Sequence, residues 1–239
     1  KINENFKINN FDKIEEKYFN KNEFLNNFSI KKNNDKINFI SDGFDMSYHI
    51  EKRLKGAKKN NFLDLFENLN SSLEINIKLA KLDNEHNFNN LKGTARIKSN
   101  KIDKANFNAK FDEQNVFSYT KNDINGKQIT TIFSDLAKPF VKKFKFIKGF
   151  EDGKLDFTSK QLSENLSKSE LRIYDFKLQD MPALTKLLSL ASLQGIADLA
   201  TGEGIRFNEF DMIFDDSKNL ITINEIYALG PAISILMDG

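Results

Sequence analysis

The chain has 239 residues, 36 basic against 34 acidic side chains, and no cysteine or tryptophan. A formal charge of +2 with no clustered basic excess argues against a nucleic-acid partner. The missing thiols exclude disulfides, thiol catalysis and cysteine zinc sites.

Phenylalanine occurs 23 times and tyrosine five times. A coding bias toward AT-rich codons accounts for this use, and so does a lining of apolar rings for a greasy ligand. Residues 1–35 are polar, with scattered apolar positions that fit short strands or an edge element. From Ile37 the alternation sharpens, and Phe44, Met46, Tyr48 and Ile50 recur at every second position, the period of a strand with one buried face. Residues 60–70 read as a loop or one short helix. The clearest β region follows, with Leu73, Ile75, Ile77 and Leu79, then Leu91 to Ile97, Ala105 to Phe111, Phe117 and Tyr119, and Ile129 to Phe133. Short polar turns separate these runs, Asn125-Gly126 being the strongest hairpin signal, so an antiparallel meander with one apolar face is predicted.

Residues 134–147 break the alternation and predict an amphipathic helix capped by Ser134, with Lys138, Lys142, Lys143 and Lys145 on its wet side. Two strands follow, Lys154 to Lys160 and Ser169 to Leu178, with a phase shift that places a bulge near Tyr174-Asp175. Residues 182–200 predict a second helix, apolar nearly all round and too short to span a bilayer, which takes about 18–20 apolar residues. Gly202-Glu203-Gly204 reads as its cap and turn. Strands Arg206 to Phe214, Leu220 to Ile226 and Ala232 to Met237 close the chain, the first two joined by a turn at residues 215–219. The absence of a βαβ rhythm argues against a doubly wound parallel sheet. Lys1 in place of methionine, and an apolar run reaching Gly239, predict a piece of a longer protein.

Chemistry-bearing constellations are absent. His49 and His86 are the only histidines and have no carboxylate at ligand spacing, so no metal or cofactor site is predicted. No serine sits in a nucleophile elbow, and Asp215-Asp216 reads as part of a turn. The chain is therefore not expected to be an enzyme.

From Phe117 to Met237 the sequence resembles the AsmA-like family of periplasmic bridge proteins, the group that includes AsmA, YhdP and TamB. The resemblance rests on the stretch PALTKLLSLASLQGIADLATGEGI, the F-x-x-F-D residues Phe207 to Asp211, and the closing ALGPAISI. Residues 1–116 fit only in style, as amphipathic strands. The resemblance implies a protein anchored in the bacterial inner membrane by parts outside this chain and projecting into the periplasm. It also implies a β-sheet curled into a long apolar groove that holds or conducts phospholipid between inner and outer membranes. The family carries no catalytic motif.

The combined expectation is a mainly β (α+β) chain, one curved antiparallel sheet forming an open apolar groove, with helices at about 134–147 and 182–200 packed on it. Residues 1–239 form a single β-groove segment, of which 117–239 is the AsmA-like region. The expected partner is phospholipid or another acyl-chain lipid. Leu73, Ile75, Ile77, Phe107, Phe111, Phe210, Met212 and Phe214 are expected to line the groove. Leu184, Leu187, Leu188 and Leu193 are expected to cap it. The alternative is a structural or assembly module for outer-membrane biogenesis, meeting envelope proteins through exposed strand edges.

Overall fold

The structure, a computed structural model, describes residues 8, 10–21, 23–47, 68–141, 149–179, 204–217 and 220–239. Two compact units divide the chain at Asn125 and Gly126. Both residues have positive φ, 55° and 75°, the conformation a two-residue primed turn requires.

The first unit holds β1 (Lys13–Phe19), β2 (Leu25–Asn33), β3 (Lys36–Asp45), β4 (Ser71–Lys81), β5 (Asn87–Lys98), β6 (Lys101–Lys110) and β7 (Val116–Ile124). Each strand pairs with its sequence neighbours, antiparallel throughout except between β3 and β4. There Lys36 to Asp45 runs parallel to Ser72 to Lys81, so the expected all-antiparallel sheet is corrected at this pair. A parallel pair needs a crossover of a dozen or more residues, and residues 46–70 supply that length. β3 also ends at Asp45, earlier than the Phe44–Ile50 alternation predicted, with Met46 beyond it. Tyr48, Ile50 and the expected loop or helix of residues 60–67 lie outside the described residues.

Two hairpin loops share one device. Asp83 accepts hydrogen bonds from the backbone N–H groups of Glu85 and His86, both at 2.8 Å, and contacts His86 Nδ1 at 3.0 Å. Asp112 does the same for Gln114 and Asn115, at 2.9 and 2.7 Å. Aspartate suits both loops because its short side chain mimics a backbone turn. Burial pushes the Asp83 carboxyl up, but the hydrogen bonds from Glu85 and His86 outweigh it and hold the group below its ordinary value. A depressed carboxyl contributes stability that is complete above about pH 5 and is lost as pH falls through about 4 and below. The stability gap between wild type and Asp83→Asn is therefore expected to shrink between pH 7 and pH 3 in urea titrations. A gap constant across that range would refute the assignment.

The second unit holds β8 (Lys127–Ser134), the helix α1 (Lys138–Val141), β9 (Phe150–Ser163), β10 (Leu166–Leu178), β11 (Ile205–Ser217), β12 (Leu220–Leu229) and β13 (Ser234–Asp238). Every pairing within it is antiparallel and between neighbours. The helix expected over 134–147 is corrected. Residues up to Ser134 remain in β8, and α1 spans four residues, with 142–148 outside the described residues. Ser134 is fully buried and closes a tight local turn, donating to the Leu136 carbonyl at 2.7 Å, rather than capping the helix. Of the helix expected over 182–200, all residues lie outside the described ones. Asp215 and Asp216 are paired within β11, opposite Thr222 and Ile221, instead of forming the turn. Cross-strand hydrogen bonding carries the strand past the end of its apolar pattern.

The phase shift in β10 is present. Asp175 has φ of 51°, and both neighbouring ladders step over it, together with Gly153 of β9. The register is unchanged on either side of Asp175, so the expected bulge is corrected to a local break in pairing, and Leu171, Ile173, Phe176 and Leu178 stay against the same apolar cluster although their spacing changes from odd to even.

Candidate functional site

Cross-strand partners share a face, so the registers give each sheet face in rows. In the first unit one row runs Phe39, Ile75, Gly93, Phe107, Tyr119 across β3 to β7. All five are partly exposed. The row on one side contains Ile37, Leu73, Ala95 and Ala105, and all of these but Leu73 are buried. On the other side Ser41, Ile77 and Leu91 are buried. A half-open apolar strip thus lies between two closed rows.

Gly93 explains how the strip is built. A Cβ there would lie 2.1 Å from the Asn106 carbonyl oxygen and 2.5 Å from Phe107 Cδ1. The Phe107 ring occupies the space a side chain at 93 would need, and it stacks on Tyr119 with ring centroids 5.9 Å apart. A glycine in a strand interior marks such a close approach.

The second unit repeats the arrangement. Ser134, Leu155, Ile173, Phe210, Ala228 and Ile235 form one row, its first three residues and Ala228 buried. The adjacent row, Ile132, Phe157, Leu171, Met212 and Ile226, is half-buried throughout. Beyond it Phe214 lies in line with Ser169 and Ser159, whose hydroxyls are hydrogen-bonded at 2.9 Å. The core beneath is anchored by Phe150, Phe176 and Phe207, stacked in sequence with centroids 5.2 Å apart at each step.

The expected groove residues therefore sort by position. Ile75, Phe107 and Met212 lie in the half-open rows. Leu73 packs against the cluster of Ile30, Ile37, Leu69 and Ile97. Phe210 packs on the core of the second unit. Ile77 is 3% exposed and Phe111 is 9% exposed, so both belong to the interior rather than to an accessible surface. Phe111 shares its face with Phe107, but it packs against Phe88, which itself packs against Phe117, with centroids 5.0 and 4.5 Å apart. Phe39, Tyr119, Phe157, Leu171 and Ile226 belong to the strips and escaped the sequence reading. Cross-strand register, which a single sequence does not carry, is what places them there. Leu184, Leu187, Leu188 and Leu193 lie outside the described residues.

The opposite faces are polar. Lys36 pairs with Glu74 at 2.6 Å, Lys78 with Asp42 at 2.6 Å, and Arg172 with Asp211 at 3.1 Å. A cavity of about 520 Å³ on this face of the first unit is bordered by Lys36, Glu74, Arg96 and Lys104. Arg96 is held there by Asp103, the extra residue of a bulge in β6. Among the described residues no group of three histidines or carboxylates could hold a metal ion, and no helix is long and apolar enough to cross a membrane.

Set against known proteins, the chain matches no family model, no curated protein and no solved structure.

Proposed function

We propose that this chain holds acyl-chain lipid, phospholipid foremost, against the half-open apolar strips of its two units. The observation that carries the reading is the strip itself, five adjoining strands presenting apolar positions that the fold leaves partly uncovered in each unit. Five strands at about 4.8 Å span about 19 Å. One leaflet of a bilayer's hydrocarbon core is about 15 Å deep, so an extended acyl chain fits along a strip, crossing the strands. Each methylene removed from water there contributes about 0.8 kcal/mol. The likeness of residues 117–237 to AsmA-like proteins supports the same reading. With it come a place on the periplasmic side of the bacterial inner membrane, transfer between the two membranes, and support of outer-membrane integrity. A carrier of this kind moves its cargo without reacting with it and needs no catalytic group.

Native mass spectrometry of the chain, purified and offered phospholipid vesicles, is expected to show bound phospholipid. Ile75→Asp and Met212→Asp together are expected to reduce that occupancy at least tenfold, because a carboxylate in the strip would have to be desolvated by the acyl chain. A wild-type chain that takes up no lipid, or a double variant that binds as well as wild type, would sink the proposal.

A second reading, an assembly module, draws on a different feature. Among the described residues β13 pairs only with residues 225–229 of β12, and Leu220, Ile221, Leu236 and Met237 on these two strands are 58–70% exposed. Unprotected apolar strand edges recruit other strands. Leu236→Lys with Met237→Lys decides between the readings. Lost function with unchanged lipid occupancy favours assembly.

A further inference from the structure

We infer that the acyl strip of the first unit is blind at its β3 end, and that Phe39 is the wall that limits the length of the acyl chain it takes. The inference rests on the acyl-lipid reading above and assigns it a chain-length limit.

Followed beyond Phe39, the row of the strip reaches Ile30 of β2 and Ile14 of β1. Ile30 is 5% exposed and belongs to the cluster against which Ile14, Phe28 and Phe39 pack. The row therefore passes from half-open to closed in one step, at Phe39. That ring is braced from the side away from the strip. It is stacked on Phe28 with centroids 5.5 Å apart and meets Phe44 edge-on at 5.3 Å, while Phe28 and Phe44 lie 5.6 Å apart. Each of the three rings contacts the other two, so Phe39 cannot turn out of the way without breaking ring contacts. The second unit differs at its far edge. Its strip continues from Ile226 to Met237 of β13, which is 58% exposed, so among the described residues that row ends without a wall.

An acyl chain lying along the first strip places its terminal methyl against Phe39 and its headgroup on the β7 side. The five strands from Phe39 to Tyr119 give it about 19 Å, against about 15 Å for one leaflet of an ordinary bilayer. A chain that fits exchanges the interior of a vesicle for the strip, and both are apolar, so its length matters little. Once the strip is full, each further methylene leaves the vesicle for water, which weakens binding about fourfold. A blind end thus produces a sharp limit in length, whereas an open strip produces none.

The test uses the full protein and one vesicle population containing equal amounts of phosphatidylcholines that differ only in their two monounsaturated chains, namely palmitoleoyl, oleoyl, erucoyl and nervonoyl. Native mass spectrometry reads which of them is bound. Met212→Asp silences the second strip and leaves the first to be read by itself. In that background palmitoleoyl and oleoyl lipids are expected to be held equally, and the nervonoyl lipid at least tenfold less. Adding Phe39→Ala is expected to bring the nervonoyl-to-oleoyl ratio near one. Thermal unfolding shows whether each variant is folded, and Phe39→Leu, which keeps most of the packing and is expected to raise the ratio in part, replaces Phe39→Ala if the latter is not. The Ile75→Asp protein, in which only the second strip binds, is expected to hold all four lipids alike. Equal binding of oleoyl and nervonoyl lipids by the Met212→Asp protein, or a ratio that folded Phe39 variants leave unaltered, overturns the inference while the acyl-lipid reading stands. A Met212→Asp protein that holds none of the four overturns both for this unit.

Discussion

Valine at Gly93 is expected to destabilise the first unit by more than about 4 kcal/mol, the range reached when a side chain is forced into rigid surroundings. The added Cβ would sit 2.1 Å from the Asn106 carbonyl oxygen and 2.7 Å from the Phe107 α-carbon. Both are backbone atoms of β6, so relief requires the two strands to part, and the ladder from Ala95–Ala105 to Lys92–Asn108 goes with them. The Phe107 ring is the one movable neighbour. Gly93→Ala in a Phe107→Ala background is therefore expected to recover little of the loss, because the clash with Asn106 persists. Urea unfolding gives the magnitude, and hydrogen exchange across β5 and β6 gives the location. A Gly93→Val chain with a wild-type midpoint would mean that this approach of strands does not exist.

Phe176→Ala carries the second large effect, about 3–5 kcal/mol, confined to the second unit. Phe176 is 4% exposed and is the middle ring of the Phe150–Phe176–Phe207 stack, so truncation opens a cavity and breaks two ring contacts at once. Each such contact is worth about 0.5–1.5 kcal/mol beyond its buried area. Gly153 tightens the same place. Its φ is +83°, and a Cβ there would lie 3.0 Å from that of Phe176. Phe176→Leu, which keeps most of the volume but not the rings, is expected to fall between wild type and Phe176→Ala. A Phe176→Ala chain that loses less than about 1 kcal/mol would show that the stack is not the anchor of this unit.

These two sites bear on function because the strips rest on them. Phe107 lies over Gly93 and forms part of the first strip. Phe176 belongs to the cluster on which Leu171, a member of the second strip, packs. Lipid occupancy is therefore expected to fall with stability in Gly93→Val, whereas in Ile75→Asp with Met212→Asp it falls through the surface chemistry alone. Comparing the two separates loss of the scaffold from loss of the binding face.

Much of this was legible in the residues. Alternation at Leu73, Ile75 and Ile77 and at Ala105, Phe107 and Ala109 specified strands with one apolar face, because the side-chain period of two is a local property of extended backbone. Asn125-Gly126 and the aspartate-led loops at 83–86 and 112–115 specified turns for equally local reasons. The slip between Ile173 and Phe176 marked a real irregularity, a positive φ at Asp175, but not a bulge, because the register on both sides is the same. Local pattern was silent on what depends on partners distant in the chain. It did not show that β3 lies parallel to β4, since strand direction is set by the crossover between them. It extended a helix back to Ser134, where pairing with Leu155 keeps the residue in a sheet.

Nor did the pattern separate Phe111 from Phe107, which share a phase. Phe111 is closed in against Phe88, while Phe107 lies across Gly93 at the half-open strip. Composition and periodicity thus determined that this chain is a sheet with one apolar side. Which apolar side chains are buried and which stay open to a ligand was decided by cross-strand register, through contacts between residues tens of positions apart.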